Sequence, residues 1–183
     1  EDDFKRAVRI KPGEPYRSAD VAATAKAFGD LFGLYGYAFA RTEARPEIDR
    51  ATGQVAVVLS ADPQRRVYVR RINVAGNDRT RDEVIRREFR QLESAWYDGG
   101  RIKVSRDRVD RLGFFKEVNV ETEEVSGSPD QVDLTVKVVE KPTGNLLGGV
   151  GFSRSERLSL TASVQQDNVF GSGNYLGVEV NTS

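Results

Sequence analysis

The order of apolar stripes and chain breaks in the first third of this sequence recurs in its middle, and that repetition constrains the fold more than any single motif. The middle copy is the clearer one. Residues 67–74 read as a strand, and Ala75-Gly76-Asn77-Asp78 as the turn that ends it. Thr80 is predicted to cap a helix, with Glu83 at the capping-box spacing and Val84, Ile85, Phe89 and Leu92 as the apolar stripe. A second helix carrying Val104, Arg108 and Leu112 stops at Gly113. Val118 and Val120 begin a strand, and Ser126-Gly127-Ser128-Pro129-Asp130 turns it back. Val132, Leu134, Val136 and Val138 then alternate with Asp133, Thr135 and Lys137, the pattern of a half-buried strand with one wet face. The order is β-α-α-β-β.

The first copy follows the same plan. Lys11-Pro12-Gly13-Glu14-Pro15 breaks the chain, and Ser18 is predicted to cap a helix with Asp20 in its first turn. Val21, Ala25, Phe28, Phe32 and Tyr35 form an amphipathic stripe that Gly36 stops. An extended segment from Phe39 toward Ile48, a turn at 49–53 and an alternating strand through Val55, Val57 and Leu59 complete it. Tyr35-Gly36-Tyr37-Ala38 corresponds to Leu112-Gly113-Phe114-Phe115, and Val55 to Val132. The first copy lacks an opening strand. The fold class is therefore α+β, built of two tandem modules.

The last stretch has another rhythm. Gly148, Val150 and Phe152 alternate, Arg154–Arg157 reads as a polar turn, and Leu158, Leu160, Ala162 and Val164 alternate again. Phe170-Gly171-Ser172-Gly173-Asn174 turns the chain once more before Leu176, Val178 and Val180. Three antiparallel strands with one apolar face and one face rich in Ser, Thr and Asn suit a membrane barrel, and equally any antiparallel meander.

Composition narrows the chemistry. There is no Cys and no His, so the chain alone cannot build a Ser-His-Asp or Cys-His nucleophile or a His/Cys zinc site. Lys+Arg and Asp+Glu both number 28, which argues against nucleic acid as the main partner. The run Gly144–Gly151 lacks the Lys-Ser/Thr ending of a phosphate loop, and Gly171, Gly173 and Gly177 miss the dinucleotide spacing. The expectation is a binding protein, not an enzyme, with no catalytic residue, cofactor or metal. No run of about 18 apolar residues exists for a membrane-spanning helix. The start at Glu1-Asp2-Asp3-Phe4 carries no secretion signal and reads as the middle of a longer protein.

Several motifs carry a family resemblance. Tyr68-Val69-Arg70-Arg71-Ile72, Gly76-Asn77-Asp78, Arg86-Arg87-Glu88, Arg111-Leu112-Gly113-Phe114-Phe115 and Gly127-Ser128-Pro129-Asp130-Gln131-Val132-Asp133 resemble the last POTRA repeat of the BamA family, the outer-membrane β-barrel assembly proteins. Pro12-Gly13-Glu14-Pro15-Tyr16, Tyr35-Gly36-Tyr37-Ala38 and Pro46-Glu47-Ile48 resemble the repeat before it. Val164-Gln165-Gln166-Asp167-Asn168, with Gly171 and Gly173, is similar to the family's early barrel strands. The resemblance implies POTRA repeats at 1–66 and 67–141 and the opening of a transmembrane barrel at 142–183. It further implies a scaffold at the periplasmic face of the bacterial outer membrane. Such a scaffold binds unfolded outer-membrane proteins by β-augmentation and docks accessory lipoproteins of the BamD type. The alternative is the POTRA region of a two-partner secretion or other translocation transporter, which the 164–168 motif disfavours. In the family reading, residues 145–153 form the first barrel strand, whose glycines weaken its pairing. Strands without the rest of a barrel are expected to be poorly ordered or to pair with another copy.

Two surfaces are candidate sites. The first is the strand after the Gly-Phe-Phe turn, Lys116, Glu117, Val118, Asn119, Val120 and Glu121, as an edge that captures an extended peptide. The competing reading is that Glu117, Glu121, Glu123 and Glu124 guard the edge against aggregation. The second is Arg86, Arg87, Arg90 and Glu93, flanking the predicted helical stripe, as the lipoprotein-docking face; Arg suits bidentate pairing with carboxylates. Its competing reading is a solvated helix face with internal pairs such as Glu83–Arg87. Trp96 and Tyr97 read as packing residues at a helix end.

Overall fold

The computed structural model describes residues 2–151 and 159–182. The predicted turn at Arg154–Arg157, together with Phe152, Ser153 and Leu158, lies outside the described residues.

The first module opens with α1 (Asp2–Ala7), whose Phe4 ring meets Phe28 and Phe32 of α2 (Ser18–Leu34) at 5.2 and 4.9 Å between centroids. Ser18 does not cap α2. Arg17 occupies that position in extended conformation without a side-chain cap bond. Thr24 instead ties the entry loop down, its buried hydroxyl accepting from the Arg9 N–H (3.1 Å) and donating to the Asp20 carbonyl (2.8 Å). The helix ends as the sequence predicts. Gly36 takes a positive φ of 97°, its N–H donates to the Gly33 carbonyl, and the Tyr37 N–H reaches back to the Phe32 carbonyl. The Phe32 and Tyr37 rings then close the apolar contact that accompanies such a stop. β1 (Arg41–Asp49) and β2 (Gln54–Asp62) form an antiparallel pair whose register sets Ala44 opposite Leu59 and Ile48 opposite Val55. The Thr42 hydroxyl bonds the Ala25 carbonyl and fastens this pair to α2.

The second module comprises β3 (Tyr68–Ala75), α3 (Asp82–Arg86), α4 (Gly99–Asp110), β4 (Phe115–Val125) and β5 (Ser128–Glu140). Its sheet has the order β3-β5-β4, so the strand with the cleanest alternation lies in the middle. Val132, Leu134, Val136 and Val138 are all buried. Arg70 grips Asp133 on the wet face with both Nε and Nη2, at 2.9 and 2.5 Å.

Three sequence expectations change here. Thr80 caps no helix: the residue before α3 is Arg81, again without a side-chain cap, and Thr80 is itself buried. α3 runs for five residues and does not continue to Leu92, which is 61% exposed. Beyond it the chain turns because buried polar side chains take over its backbone groups. Gln91 donates to the Leu92 and Trp96 carbonyls and accepts from the Asp98 N–H, while the Ser105 hydroxyl accepts from the Arg90 N–H. The stripe of α4 is also displaced. Asp98 caps it by accepting from the Gly100 and Arg101 N–H groups, so the helix starts earlier than Val104 suggests. It buries Ile102, Ser105 and Val109, leaving Val104 exposed.

By spatial proximity the chain divides into two units. One holds the residues up to Ile72, Gln91–Lys103 and Thr122–Leu134; the other holds Asn73–Arg90, Val104–Glu121 and the described residues from Thr135 onward. The core of the first includes Val21, Val67, Val69, Ile72, Ile102, Val132 and Leu134. That of the second includes Val84, Ile85, Phe89, Val109, Phe115, Val118 and Val136.

The third stretch forms β6 (Gly144–Gly151), β7 (Ser159–Gln166) and β8 (Leu176–Thr182), an antiparallel meander with a tight turn at Val169–Gly171 between β7 and β8. Its register aligns Leu146, Val164 and Val178 across the three strands, then Gly148, Ala162 and Val180, then Val150 and Leu160. One face is therefore apolar. The other carries Asn145, Thr161, Ser163, Gln165, Glu179 and Asn181, with Leu147 as its large apolar residue. The apolar face is exposed, with Leu146 at 79% and Val150 at 74%.

Candidate partner-binding site

The sheet order leaves β3 and β4 as edges, and the chain treats them differently. β3 is covered. The Val69 N–H donates to the Ala95 carbonyl (2.9 Å) and its carbonyl accepts from Ser94 (2.7 Å), while the Tyr97 N–H donates to the Val67 carbonyl (3.0 Å). Tyr68 and Trp96 form an isolated bridge with their rings edge to face. Trp96 also carries the Arg66 guanidinium over its ring, 4.3 Å from the centroid. Burial pushes the Tyr97 hydroxyl above its ordinary pKa, against a lowering hydrogen bond with Thr122. The two aromatics thus close one edge of the sheet.

On β4, Lys116, Glu117, Asn119 and Glu121 are exposed, Val120 is half-buried and Val118 is buried. The exposed side chains are knitted together, with Asn119 donating to Glu117 (2.6 Å) and Lys137 pairing Glu121 (2.6 Å). Arg106 from α4 donates Nε to the Val118 carbonyl (3.0 Å), a contact without a signal in the apolar pattern.

The four residues of the second candidate surface fall into two groups. Arg86 pairs Asp82 one helical turn back at 3.7 Å, Arg87 pairs Glu88 at 3.7 Å, and Arg90 reaches the carbonyls of Arg87 and Phe89. Glu93 accepts the backbone N–H of Ile72 at 2.8 Å. Glu88 in addition binds Arg108 at 2.7 Å. Among the described residues no group of three or more His, Cys, Asp or Glu is placed to hold a metal ion.

One half-buried carboxylate has no signal in the sequence pattern. Glu140 ends β5 and accepts the N–H groups of Arg79 (3.0 Å) and Thr80 (2.7 Å). Burial raises its pKa, but the hydrogen bonds from Thr80 and Arg79 outweigh burial and hold it below the usual carboxylate range. The folded value is depressed, so the stabilisation is present above the unfolded value of about 4.3 and is lost as pH falls through the folded value. Glu140→Gln is expected to cost about 2 kcal/mol at neutral pH. Denaturation of both proteins from pH 7 to 3 should show that difference shrinking; a constant difference would remove the charged role of Glu140.

The POTRA model, described as a surface antigen variable number repeat, matches residues 1–64 and again 67–141.

The chain belongs to the POTRA family.

Among curated relatives of this POTRA chain, the outer membrane protein assembly factor BamA of Neisseria meningitidis is 37% identical over 93% of the chain, and BamA of Nitratidesulfovibrio vulgaris 33% over 92%. The chain spans 22% and 21% of the lengths of these two proteins. Two crystal structures are similar. BamA from Haemophilus ducreyi lacking POTRA domains 1–3 matches with a TM-score of 0.83 and 31% identity, over 99% of this chain and 34% of that one. POTRA domains 3–5 of Haemophilus influenzae BamA match at 0.72 and 31%, over 76% and 55% of the two chains. The mixed α+β architecture is that of tandem POTRA modules.

Proposed function

We propose that this POTRA chain is a non-enzymatic scaffold of outer-membrane protein assembly, with its repeats at residues 1–66 and 67–141 on the periplasmic side and residues 142–183 opening a barrel in the outer membrane. The observation that carries the reading is the order β3-β5-β4, in which β3 is closed by 94–97 while Lys116–Glu121 of β4 lie along the other edge. An extended segment of an unfolded outer-membrane protein adds to β4 through main-chain hydrogen bonds. The Arg86, Arg87 and Arg90 side of the second module, with Glu93, docks an accessory lipoprotein of the BamD type. The exposed apolar face of β6–β8 meets lipid, and its polar face lines the barrel interior. The names of the relatives and the continuous likeness from the repeats into the strands support this assignment.

The test is binding of a fluorescent peptide copied from a barrel strand to the chain and to Asn119→Pro and Val120→Pro. Successive residues of a strand point their N–H groups to opposite sides, so one proline removes an outward donor and the other an inward one. The outward variant is expected to fold and to bind about ten-fold more weakly, the loss of one good hydrogen bond. Arg86→Glu in the same series should keep peptide binding and lose capture of the purified lipoprotein. Peptide binding unchanged in both folded proline variants would sink the β4 assignment.

A further inference from the structure

Only Lys141, Pro142 and Thr143 separate β5 from β6, a link bonded to the second module through the Lys141 N–H on the Phe114 carbonyl (3.0 Å) and to the strands through the Thr143 carbonyl, which accepts the Asp167 N–H (3.0 Å). The structure supplies a second attachment. The turn between β7 and β8 sits on the loop ahead of α3, where the Arg81 N–H donates to the Gly171 carbonyl at 3.0 Å. Asn168 does two things at once. Its amide nitrogen donates to the buried Thr80 hydroxyl at 2.7 Å, and its amide oxygen accepts the Gly173 N–H at 2.8 Å. The fit admits no larger residue. A Cβ on Gly171 would run into the Arg79 carbonyl, and one on Gly173 would lie 3.2 Å from Val84 and 2.6 Å from the Arg87 guanidinium.

Each half of the contact has hydrogen bonds of its own. The loop is fixed from β5 by Glu140, which holds the Arg79 and Thr80 N–H groups, and from within by Asn77, which donates to the Thr80 carbonyl and to Asp82. On the turn, the Val169 N–H donates to the Asn174 carbonyl (2.9 Å) and the Ser172 hydroxyl to the Val169 carbonyl (2.7 Å), and Phe170 holds a left-handed φ of 50°. Arg87, read from the sequence as a docking residue, lies against this turn through Gly173.

We propose that Asn168, Gly171 and Thr80, positioned by Glu140, form a latch that joins the β7–β8 turn to the loop 76–81 as one rigid piece, so that displacement of the second repeat is carried into the strands instead of being absorbed at Lys141–Thr143. Two attachments transmit a rotation that one cannot. The inference concerns the chain alone and stands whichever client or lipoprotein it binds.

Amide hydrogen exchange on the full chain in detergent micelles tests it. The Arg81 and Gly173 amides are expected to be protected in the wild type. Thr80→Val, which removes the hydroxyl that Asn168 holds, should speed exchange at both by about ten-fold, and Asn168→Ala, which removes both bonds of the amide and with them the Gly173 acceptor itself, should do the same at Arg81 and at least as much at Gly173, with the Val136 and Val138 amides of β5 unchanged. Thr80→Ser, which keeps the hydroxyl, should retain the protection. Gly171→Val can disturb the sheet itself, so the decision rests on the Asn168 and Thr80 variants. Unprotected Arg81 and Gly173 amides in the wild type, or protection unchanged in both Asn168→Ala and Thr80→Val, would overturn the latch.

Discussion

Replacing Leu134 by alanine is expected to lower the unfolding free energy by about 3 kcal/mol, the usual cost of a buried leucine lost from a core that cannot collapse around it. Leu134 is fully buried, and it lies on β5, which has a strand on each side. Hydrogen bonding to both neighbours prevents the strand from moving inward to fill the space. Trp96 is the only tryptophan, is half exposed and is held between Arg66 and Tyr68, so its fluorescence reports unfolding without added labels. Leu92→Ala is the control. With 61% of its surface exposed, its loss should stay within about 0.5 kcal/mol. An unchanged denaturation midpoint in Leu134→Ala would mean that β5 is not central. A loss at Leu92 as large as that at Leu134 would restore the longer helix that the spacing Val84, Ile85, Phe89, Leu92 suggests.

That contrast separates what the sequence could tell from what it could not. A strand with strict alternation has only one way to hide its apolar residues, so β5 and the β7–β8 strands were legible residue by residue. The stop of α2 at Gly36 was legible for a related reason, because glycine accepts the positive φ that the turn needs. The two short helices of the second module were not. Their boundaries are set by Gln91, Asp98 and Ser105, polar side chains that bond backbone groups several residues away. Gln91 and Ser105 are buried while doing so, and a periodicity of apolar residues contains no trace of them. Thr80 shows the same limit. Its spacing to Glu83 is a capping box, yet Glu140, sixty residues away, claims its N–H, and Asn168, eighty-eight away, its hydroxyl. Of the candidate sites, the β4 strand could be located from its alternation, whereas its position at an edge depends on the crossover that inserts β5 between β3 and β4.

Gly76 carries the second large effect. It ends β3 with φ of 85°, and a Cβ built on it would land on the Val138 carbonyl oxygen. Gly127 has nearly the same φ, 80°, but open space around it. Alanine at Gly127 therefore costs only the left-handed conformation, about 1 kcal/mol. Alanine at Gly76 adds a collision with backbone, which cannot rotate away as a side chain can. β3 must then separate from β5 near Val138, and the carbonyl is pushed from its place beside the loop that Glu140 holds. The expected total is about 3 kcal/mol or more, among the larger single-site losses. Urea denaturation of the two alanine variants measures the difference directly. If Gly76→Ala and Gly127→Ala lose the same amount, backbone conformation alone explains both glycines, and the close approach of β3 to Val138 has no energetic weight. If only Gly76→Ala falls steeply, the Gly-Asn-Asp turn is fixed by packing against β5. The same turn leads straight into Arg79, Thr80 and Arg81, so the variant should also lose protection at the Arg81 amide.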